Sequence, residues 1–120
     1  MIDRAWAERY AREWAANWQL KDLDAIFNHY SPAIVFHSPR ISAVLGKDQT
    51  SVSGLPELRN YWLKALDRAK EIRFDIEDVG VGSNALTILY RNQRGDHVAE
   101  TLVFGEGRKV VEGIVTYLGS

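Results

Sequence analysis

The chain has 120 residues, of which 46% are hydrophobic and 26% are charged, and its formal net charge is −1. This length predicts one domain that buries enough surface to form a hydrophobic core. The balanced charge excludes the strong positive field that recruits nucleic acids or anionic membranes, and the absence of cysteine excludes disulfides and thiolate chemistry.

The N-terminal residues do not resemble a targeting segment. Residues 1–4 include an aspartate and an arginine within an amphipathic pattern, whereas a signal peptide has an apolar core. No run of apolar residues approaches the length that spans a bilayer. We therefore expect a cytoplasmic protein.

The first predicted element is an amphipathic helix over residues 3–20, with Asp3 as its N-cap. Trp6 is expected to pack in the core, whereas Trp14 and Trp18 either pack there or line a cavity. The apolar stripe of this helix consists of Trp6, Ala7, Tyr10, Ala11, Trp14, Ala15 and Trp18.

A second helix is predicted to begin after Asp22, a good N-cap, and to end at Ser31 because Pro32 disfavours helix in the preceding residue. The β-branched and aromatic residues 34–36 then predict a buried strand that ends at Pro39. The apolar positions of the second helix are Leu23, Ile26, Phe27 and Tyr30.

Residues 40–54 are predicted to form a long loop with one short strand, of the kind that often rims a pocket. A third helix follows, with Gly54 near its start and Pro56 in its first turn, and its apolar positions are Leu58, Tyr61, Trp62, Ala65, Leu66 and Ala69. From Ile72 onward the apolar period changes to two, which predicts four antiparallel strands joined by glycine-rich turns at residues 80–84, 93–96 and 105–108. Helices followed by strands indicate an α+β fold.

Glu100 interrupts the apolar row of the third of these strands, which is formed by Val98, Leu102 and Phe104. A carboxyl group on a buried face is costly unless it is paired, hydrogen-bonded or protonated. Glu100 therefore either faces a ligand, or is satisfied by an arginine or tyrosine of the core, or reaches the open end of the sheet.

His37 and Ser38 end the first strand, and their side chains must alternate between the two faces of the sheet. If Ile34 and Phe36 point inward, Ser38 also points inward and His37 outward, although a bend at Pro39 could reverse this. The three histidines show no metal-ligand spacing, so we expect no metal site.

Four stretches give the chain a family resemblance: residues 14–26 (WAANWQLKDLDAI), 30–39 (YSPAIVFHSP), 54–61 (GLPELRNY) and 104–111 (FGEGRKVV). In them the chain resembles the nuclear transport factor 2-like superfamily, and in particular its bacterial SnoaL-like and ketosteroid-isomerase-like members. The resemblance implies a cone-shaped α+β barrel, in which three N-terminal helices pack in a strongly curved, mixed and mostly antiparallel sheet. It also implies one domain over residues 1–120 with an apolar cavity at one end.

The isomerases use a tyrosine of the first helix, an aspartate base at the end of the first strand and a protonated aspartate in a late strand. The resemblance aligns these positions with Trp14, Ser38 and Glu100. Of the three residues, only Glu100 is of the same chemical type as its counterpart, a carboxylic acid. A serine is not a base at neutral pH without assistance.

Two functional hypotheses follow from the resemblance. In the first, the chain is a cofactor-independent isomerase, cyclase or hydrolase for a small cyclic or carbonyl compound, with Glu100, His37 and Ser38 as catalytic residues. In the second, it is a non-catalytic ligand-binding or dimerisation domain. An apolar cavity of about 300 Å³ or more that exposes Glu100 would favour the first hypothesis. The residues expected to bind the ligand are Trp14, Trp18, Tyr30, Tyr61, Trp62 and Tyr117.

The resemblance also implies a homodimer through the outer face of the sheet. Ala99, Thr101 and Val103 form the row opposite Glu100, and residues 114–117 alternate in the neighbouring strand. A strand with apolar character on both faces needs cover on both.

Overall fold

The structure of the protein is a computed structural model that describes residues 1–46 and 48–119. Within this part of the chain there are four α-helices, one short 3-10 helix at Glu106–Arg108 and six β-strands. The α-helices are α1 (Arg4–Gln19), α2 (Leu23–Phe27), α3 (Arg40–Leu45) and α4 (Leu55–Arg68). The strands are β1 (Tyr30–His37), β2 (Ser51–Ser53), β3 (Asp75–Val81), β4 (Ala85–Arg91), β5 (His97–Phe104) and β6 (Val110–Tyr117).

The six strands form one mixed sheet in the order β2-β1-β6-β5-β4-β3. β1 and β6 run parallel, and every other pair of neighbours is antiparallel. The register shifts in three of the five pairings, and such bulges bend and twist a sheet. The predicted α+β fold and the antiparallel meander of β3 to β6 are confirmed.

Helix α1 begins as predicted, since the Asp3 side chain accepts a hydrogen bond from the backbone N–H of Trp6 at 2.9 Å. Trp6 itself is only half-buried and packs on the edge of the core. The buried side of the helix carries the other residues of the predicted stripe: Ala7, Tyr10, Ala11, Trp14, Ala15 and Trp18.

The prediction that the second helix continues to Ser31 is wrong. Asp22 caps α2 as expected, accepting from the N–H of Ala25 at 3.2 Å, but Tyr30 already belongs to β1. Pro32 lies inside that strand, where the pairing with β6 shifts register. A proline is tolerated at such an irregularity because its missing N–H costs no ladder hydrogen bond there.

The segment predicted as a loop contains helix α3 in addition to the expected short strand, so the described residues contain four α-helices rather than three. Six residues are too few to show a helical period, and isolated helices of this length are unstable. Contacts with α4 hold α3 in place. The Arg68 guanidinium donates to the carbonyl oxygens of Ala43 at 2.8 Å and Val44 at 3.3 Å, which lie near the end of α3.

Helix α4 agrees with its prediction, with Gly54 as N-cap at a φ of +87° and proline in the first turn. Strand β3 begins later than predicted, since Ile72 and Phe74 precede it. The predicted turn at residues 80–84 was also too long, because Gly80 and Val81 are still in β3. Within the part of the chain described, no helix is both long and apolar enough to cross a membrane.

The core lies between the helices and the inner face of the sheet. Side chains from both layers are fully buried there, including Ile26, Leu58, Ile88 and Leu102. Gly113 of β6 faces this core, and a Cβ at this position would lie 2.7 Å from the Cδ1 atom of Phe36. The ring of Phe36 therefore occupies space that only a glycine leaves free.

Candidate functional site

A cavity of about 430 Å³ opens between α4, the segment that follows it and the inner face of the sheet. Its volume lies within the range of about 300–1,000 Å³ that is typical of small-molecule sites. Its aromatic wall is formed by Trp18, Phe36, Tyr61, Trp62, Phe74 and Tyr90, and the rest of the lining is aliphatic, polar or charged.

Glu100 contributes its carboxyl group to this cavity. Glu100 is only 4% exposed. It lies on the inner face of β5 between Val98 and Leu102, as the sequence predicted. The Tyr90 hydroxyl donates a hydrogen bond to Oε1 of Glu100 at 3.0 Å. Glu100 thus has the tyrosine partner that one sequence interpretation expected, and because it borders the cavity the ligand-facing role stays a prediction.

Burial raises the pKa of Glu100 to about 7, because the apolar surroundings disfavour the charged carboxylate. The hydrogen bond from Tyr90 acts in the opposite direction and lowers the pKa, but its effect is smaller. At neutral pH both protonation states are therefore populated. A carboxyl group in this condition can donate a proton and take one up at comparable cost.

The Tyr90→Phe variant should have a Glu100 pKa that is higher than in the wild type by about one to two pH units. The hydroxyl stabilises the ionised carboxylate, and hydrogen bonds to charged groups contribute roughly 1.5–3 kcal/mol. NMR titration of the side-chain carboxyl carbon measures this. Tyr61→Phe, in the same cavity wall but without a hydrogen bond to Glu100, is the control. An unchanged or lower pKa in Tyr90→Phe would contradict the assignment.

Ser38 and His37 lie on opposite sides of the sheet. Ser38 is buried and borders the cavity, and its Oγ accepts a hydrogen bond from the backbone N–H of Arg40 at 3.2 Å. Nε2 of His37 lies 3.2 Å from Oε2 of Glu112, and these side chains are 42% and 45% exposed. His37, predicted as a catalytic residue, therefore lies outside the cavity, because the alternation along β1 continues through residue 38.

Four of the six residues expected to bind the ligand border the cavity: Trp18, Tyr61, Trp62 and Tyr117. Trp14 and Tyr30, predicted as ligand contacts, lie behind its wall. Trp14 packs on Phe74 and Tyr90, with ring centroids 5.1 and 5.3 Å apart, and Tyr30 packs edge-on against Trp62 at 5.0 Å.

The two residues behind the wall also carry unpaired polar atoms. Within residues 1–46 and 48–119, neither Nε1 of Trp14 nor the hydroxyl of Tyr30 has a hydrogen-bond partner. Burial raises the pKa of Tyr30 strongly, and the charge of Glu100 raises it further. Through their ring contacts with Phe74, Tyr90 and Trp62, the two residues support the wall of the cavity from the core.

Tyr90 is a candidate functional residue that sequence reasoning missed, because its position relative to Glu100 depends on how β4 and β5 pair. In the β4–β5 pairing, Tyr90 lies opposite Val98 and Ile88 opposite Glu100, so Tyr90 is a diagonal neighbour of Glu100 on the same face. Five residues, 92–96, join the two strands in this register, whereas pairing across the predicted four-residue turn at 93–96 would place Tyr90 opposite Ala99, on the other face of the sheet.

The arrangement has the groups for acid–base chemistry but not for metal binding. The parts of the chain that the structure describes contain no cluster of three or more histidine, aspartate or glutamate side chains that could hold a metal ion. The cavity instead combines one buried acid, three tyrosine phenols and one serine with further aromatic side chains.

Comparison with known proteins places this geometry in a family context. Residues 11–117 match the family described as the SnoaL-like domain. The crystal structure of a SnoaL-like protein of unknown function from Burkholderia thailandensis is 31% identical, with a TM-score of 0.90 over 99% of this chain and 100% of that one. A comparison with curated proteins finds no match.

Two more distant structures share the fold. A putative SnoaL-like polyketide cyclase from Shewanella denitrificans is 14% identical, with a TM-score of 0.74 over 96% of this chain and 92% of that one. TerC, co-crystallised with polyporic acid, is 10% identical, with a TM-score of 0.74 over 93% of this chain and 91% of that one. At these identities the similarity shows a common fold.

Proposed function

The chain belongs to the SnoaL-like domain family of the nuclear transport factor 2-like superfamily, and on that premise we propose that its cavity binds a small cyclic or carbonyl compound and transfers a proton on it. The reaction would be a cofactor-independent isomerisation, cyclisation or hydrolysis. One observation carries the proposal: a carboxyl group that titrates near neutrality borders an aromatic cavity of about 430 Å³.

Glu100 would act on the ligand in both of its protonation states. In the neutral form it donates a hydrogen bond to a carbonyl oxygen, which an ionised carboxylate cannot do. In the ionised form it removes a proton from the carbon beside the carbonyl. Tyr90 holds the carboxyl group in position, and the aromatic wall keeps water away from the charge that develops.

This proposal differs from the two-acid mechanism of the ketosteroid isomerases. The resemblance aligns Ser38 with their base, and of the described residues that border the cavity, only Glu100 and Glu71 are carboxylic acids. Glu71 is exposed at the opening. Glu100 would therefore serve as acid and as base in turn, with Ser38 donating a hydrogen bond from its hydroxyl.

The alternative is a non-catalytic ligand-binding domain. It is favoured by the hydrogen bond from Tyr90, which satisfies one oxygen of Glu100 without any ligand. Both hypotheses require a ligand in the cavity. They differ in whether the ligand exchanges a proton with Glu100.

The test is exchange of the protons beside the carbonyl of bicyclic and tricyclic ketones, 1-tetralone among them, in deuterated water. We expect the wild type to accelerate exchange and the Glu100→Gln variant to bind the same ketones with exchange reduced about 100-fold or more. Quenching of Trp18 and Trp62, which border the cavity, reports binding. Glu112→Gln, on the outer face, is the control.

Two results would count against the proposal. If Glu100→Gln exchanged as fast as the wild type, the non-catalytic alternative would take its place. If no ketone bound at all, the cavity would not be a site for this class of compound.

We also propose that two copies pair through the outer face of the sheet. Ile114, Ala99 and Thr101 alternate with inward-facing residues and are half-buried, whereas Val115 turns toward the core. The outer row thus contains a group of apolar residues, and a two-fold axis would bring it against the same row of the partner. Their cross-strand neighbours on this face are the apolar Ala85, Leu89 and Val103 and the polar Thr87, Glu112 and Thr116.

Ile114→Lys should convert this dimer to a monomer at micromolar concentration. Because the interface is symmetric, the change introduces two charges into it, and burying unpaired charges costs several kcal/mol. Sedimentation velocity measures the state of assembly. Leu63→Lys, an exposed apolar residue on α4, is the control. A wild-type monomer, or an Ile114→Lys dimer, would contradict the proposal.

A further inference from the structure

We propose that the ligand of this cavity is a carboxylate, bound with its acid group at the opening and its ring system and carbonyl directed toward Glu100. This rests on the function proposed above and names the substrate class more narrowly. The inference comes from how charge is distributed around the cavity.

The opening of the cavity is basic although the chain as a whole is not. The protein has 15 basic and 16 acidic residues, so its surface has no general excess of positive charge. Apart from the buried Glu100, a single acid borders the cavity, Glu71. Four basic residues border it as well: Arg40, Arg68, Lys70 and Arg94. A cavity with one sign of charge at its opening concentrates ligands of the opposite sign.

Two of these four cations have partners. Arg94 contacts Asp96 through Nε, at 3.1 Å from Oδ2, which neutralises part of its charge. Arg68 donates to two backbone carbonyls of α3, which fixes the guanidinium without cancelling its charge. For Arg40 and Lys70, no side-chain hydrogen bond or salt bridge occurs within the described residues. These two cations are therefore available to an anion.

Ser38, which forms part of the cavity wall, holds Arg40 at the opening. Arg40 is the first residue of α3, and its backbone N–H donates to Oγ of Ser38. Its positive charge lowers the pKa of Tyr61 and of Tyr117, although burial raises both and has the larger effect. The field of Arg40 thus reaches the two phenols that border the cavity near its opening.

The inner end of the cavity does not accept an anion. A ligand carboxylate there would lose its hydration among Phe74, Trp18 and Phe36 and would lie near Glu100. Burial of an unpaired charge costs several kcal/mol, and a second carboxylate adds repulsion. The polarity of the cavity therefore fixes the direction of the ligand, with its acid group outward and its neutral carbonyl inward.

The experiment compares two probes that differ only in charge, 6-acetyl-2-naphthoate and its primary amide. We expect the wild type to bind the carboxylate about tenfold more tightly than the amide, as one or two partly exposed ion pairs provide. Raising the salt concentration should weaken binding of the carboxylate and leave the amide unaffected. Tryptophan quenching and calorimetry both measure the affinities.

A double variant tests the two free cations. In Arg40→Gln/Lys70→Gln the preference for the carboxylate over the amide should disappear. Arg12→Gln/Lys64→Gln makes the same change in net charge at exposed positions that do not border the cavity, and it should keep the preference.

The outcomes separate this inference from the function on which it rests. The inference is wrong, and the proposed function still stands, if the wild type binds both probes equally. The same holds if Arg12→Gln/Lys64→Gln loses the preference for the carboxylate as Arg40→Gln/Lys70→Gln does. If neither probe binds, the cavity is not a site for aromatic carbonyl compounds and both fail.

Discussion

From about pH 4.5 to about pH 8, the wild-type protein should lose about 3 kcal/mol of unfolding free energy that its Glu100→Gln variant does not lose. The cause is the raised pKa of a single buried group. The pKa of Glu100 is about 7 in the folded protein, compared with 4.5 ordinarily. Each pH unit between these values corresponds to about 1.4 kcal/mol.

The sign follows from proton binding. A folded-state pKa above the unfolded value means that the folded protein holds its proton over a range in which the unfolded chain has lost it. The stabilisation from Glu100 is therefore complete below the unfolded value and disappears as the pH rises through about 7. Glutamine keeps the shape of the side chain and has no charge to bury, so its contribution does not change with pH.

Urea unfolding of both proteins across this pH range measures the difference directly, because the effects of all other titrating groups cancel in the comparison. Glu112→Gln, which removes a carboxylate that is 45% exposed on the outer face, should behave like the wild type. If the unfolding free energies of the wild type and Glu100→Gln changed with pH in parallel, Glu100 would be ionised in the folded state. Its role as a neutral hydrogen-bond donor would then be excluded.

Trp14→Ala should cost about 3–5 kcal/mol of stability, and Trp6→Ala clearly less. Trp14 is 2% exposed and stacks on Phe74 with an interplanar angle of 23°, so its removal leaves an enclosed cavity. Trp6 is half-buried, and the Arg108 guanidinium lies 4.5 Å from the centre of its ring. Its removal leaves a surface depression that solvent can fill.

Trp14 should also affect ligand binding, although it does not border the cavity. It packs against Tyr90, whose hydroxyl holds the carboxyl group of Glu100. Trp14→Ala should therefore weaken binding of the ketone probes more than Trp6→Ala does. Trp14→Phe keeps an aromatic ring and removes an indole N–H that has no partner among the described residues, so it should be much milder.

Thermal and urea unfolding of the three variants, with quenching-based affinities for the folded proteins, provide the comparison. Equal losses of stability for Trp14→Ala and Trp6→Ala would contradict the difference in burial. Unchanged affinity in Trp14→Ala would show that Tyr90 keeps its position without support from behind.

Much of the fold could be predicted because its signals are local. The seven-residue stripe of α1 and the caps at Asp3 and Asp22 each depend on residues within a few positions of one another. The alternation in β5 likewise identified the buried face of Glu100. A helical or strand period is a property of neighbouring residues, so the chain displays it before any tertiary contact forms.

Helix α3 and the end of α2 could not be predicted in the same way. α3 depends on hydrogen bonds from Arg68, which lies more than twenty residues further along the chain. The early start of β1 depends on pairing with β6, which is still more distant in the sequence. Local patterns hold no information about such partners.

In the candidate site, too, local sequence patterns determined some features and contacts between distant residues determined others. The sequence by itself determined that Glu100 would be buried on an apolar strand face and that Ser38 and His37 would lie on opposite faces. Tertiary structure alone decided that Trp18 borders the cavity whereas Trp14, one turn earlier on the same stripe, lies behind Phe74 and Tyr90. Both tryptophans satisfy the same helical period, and what separates them is the packing of side chains that come from sixty or more residues away.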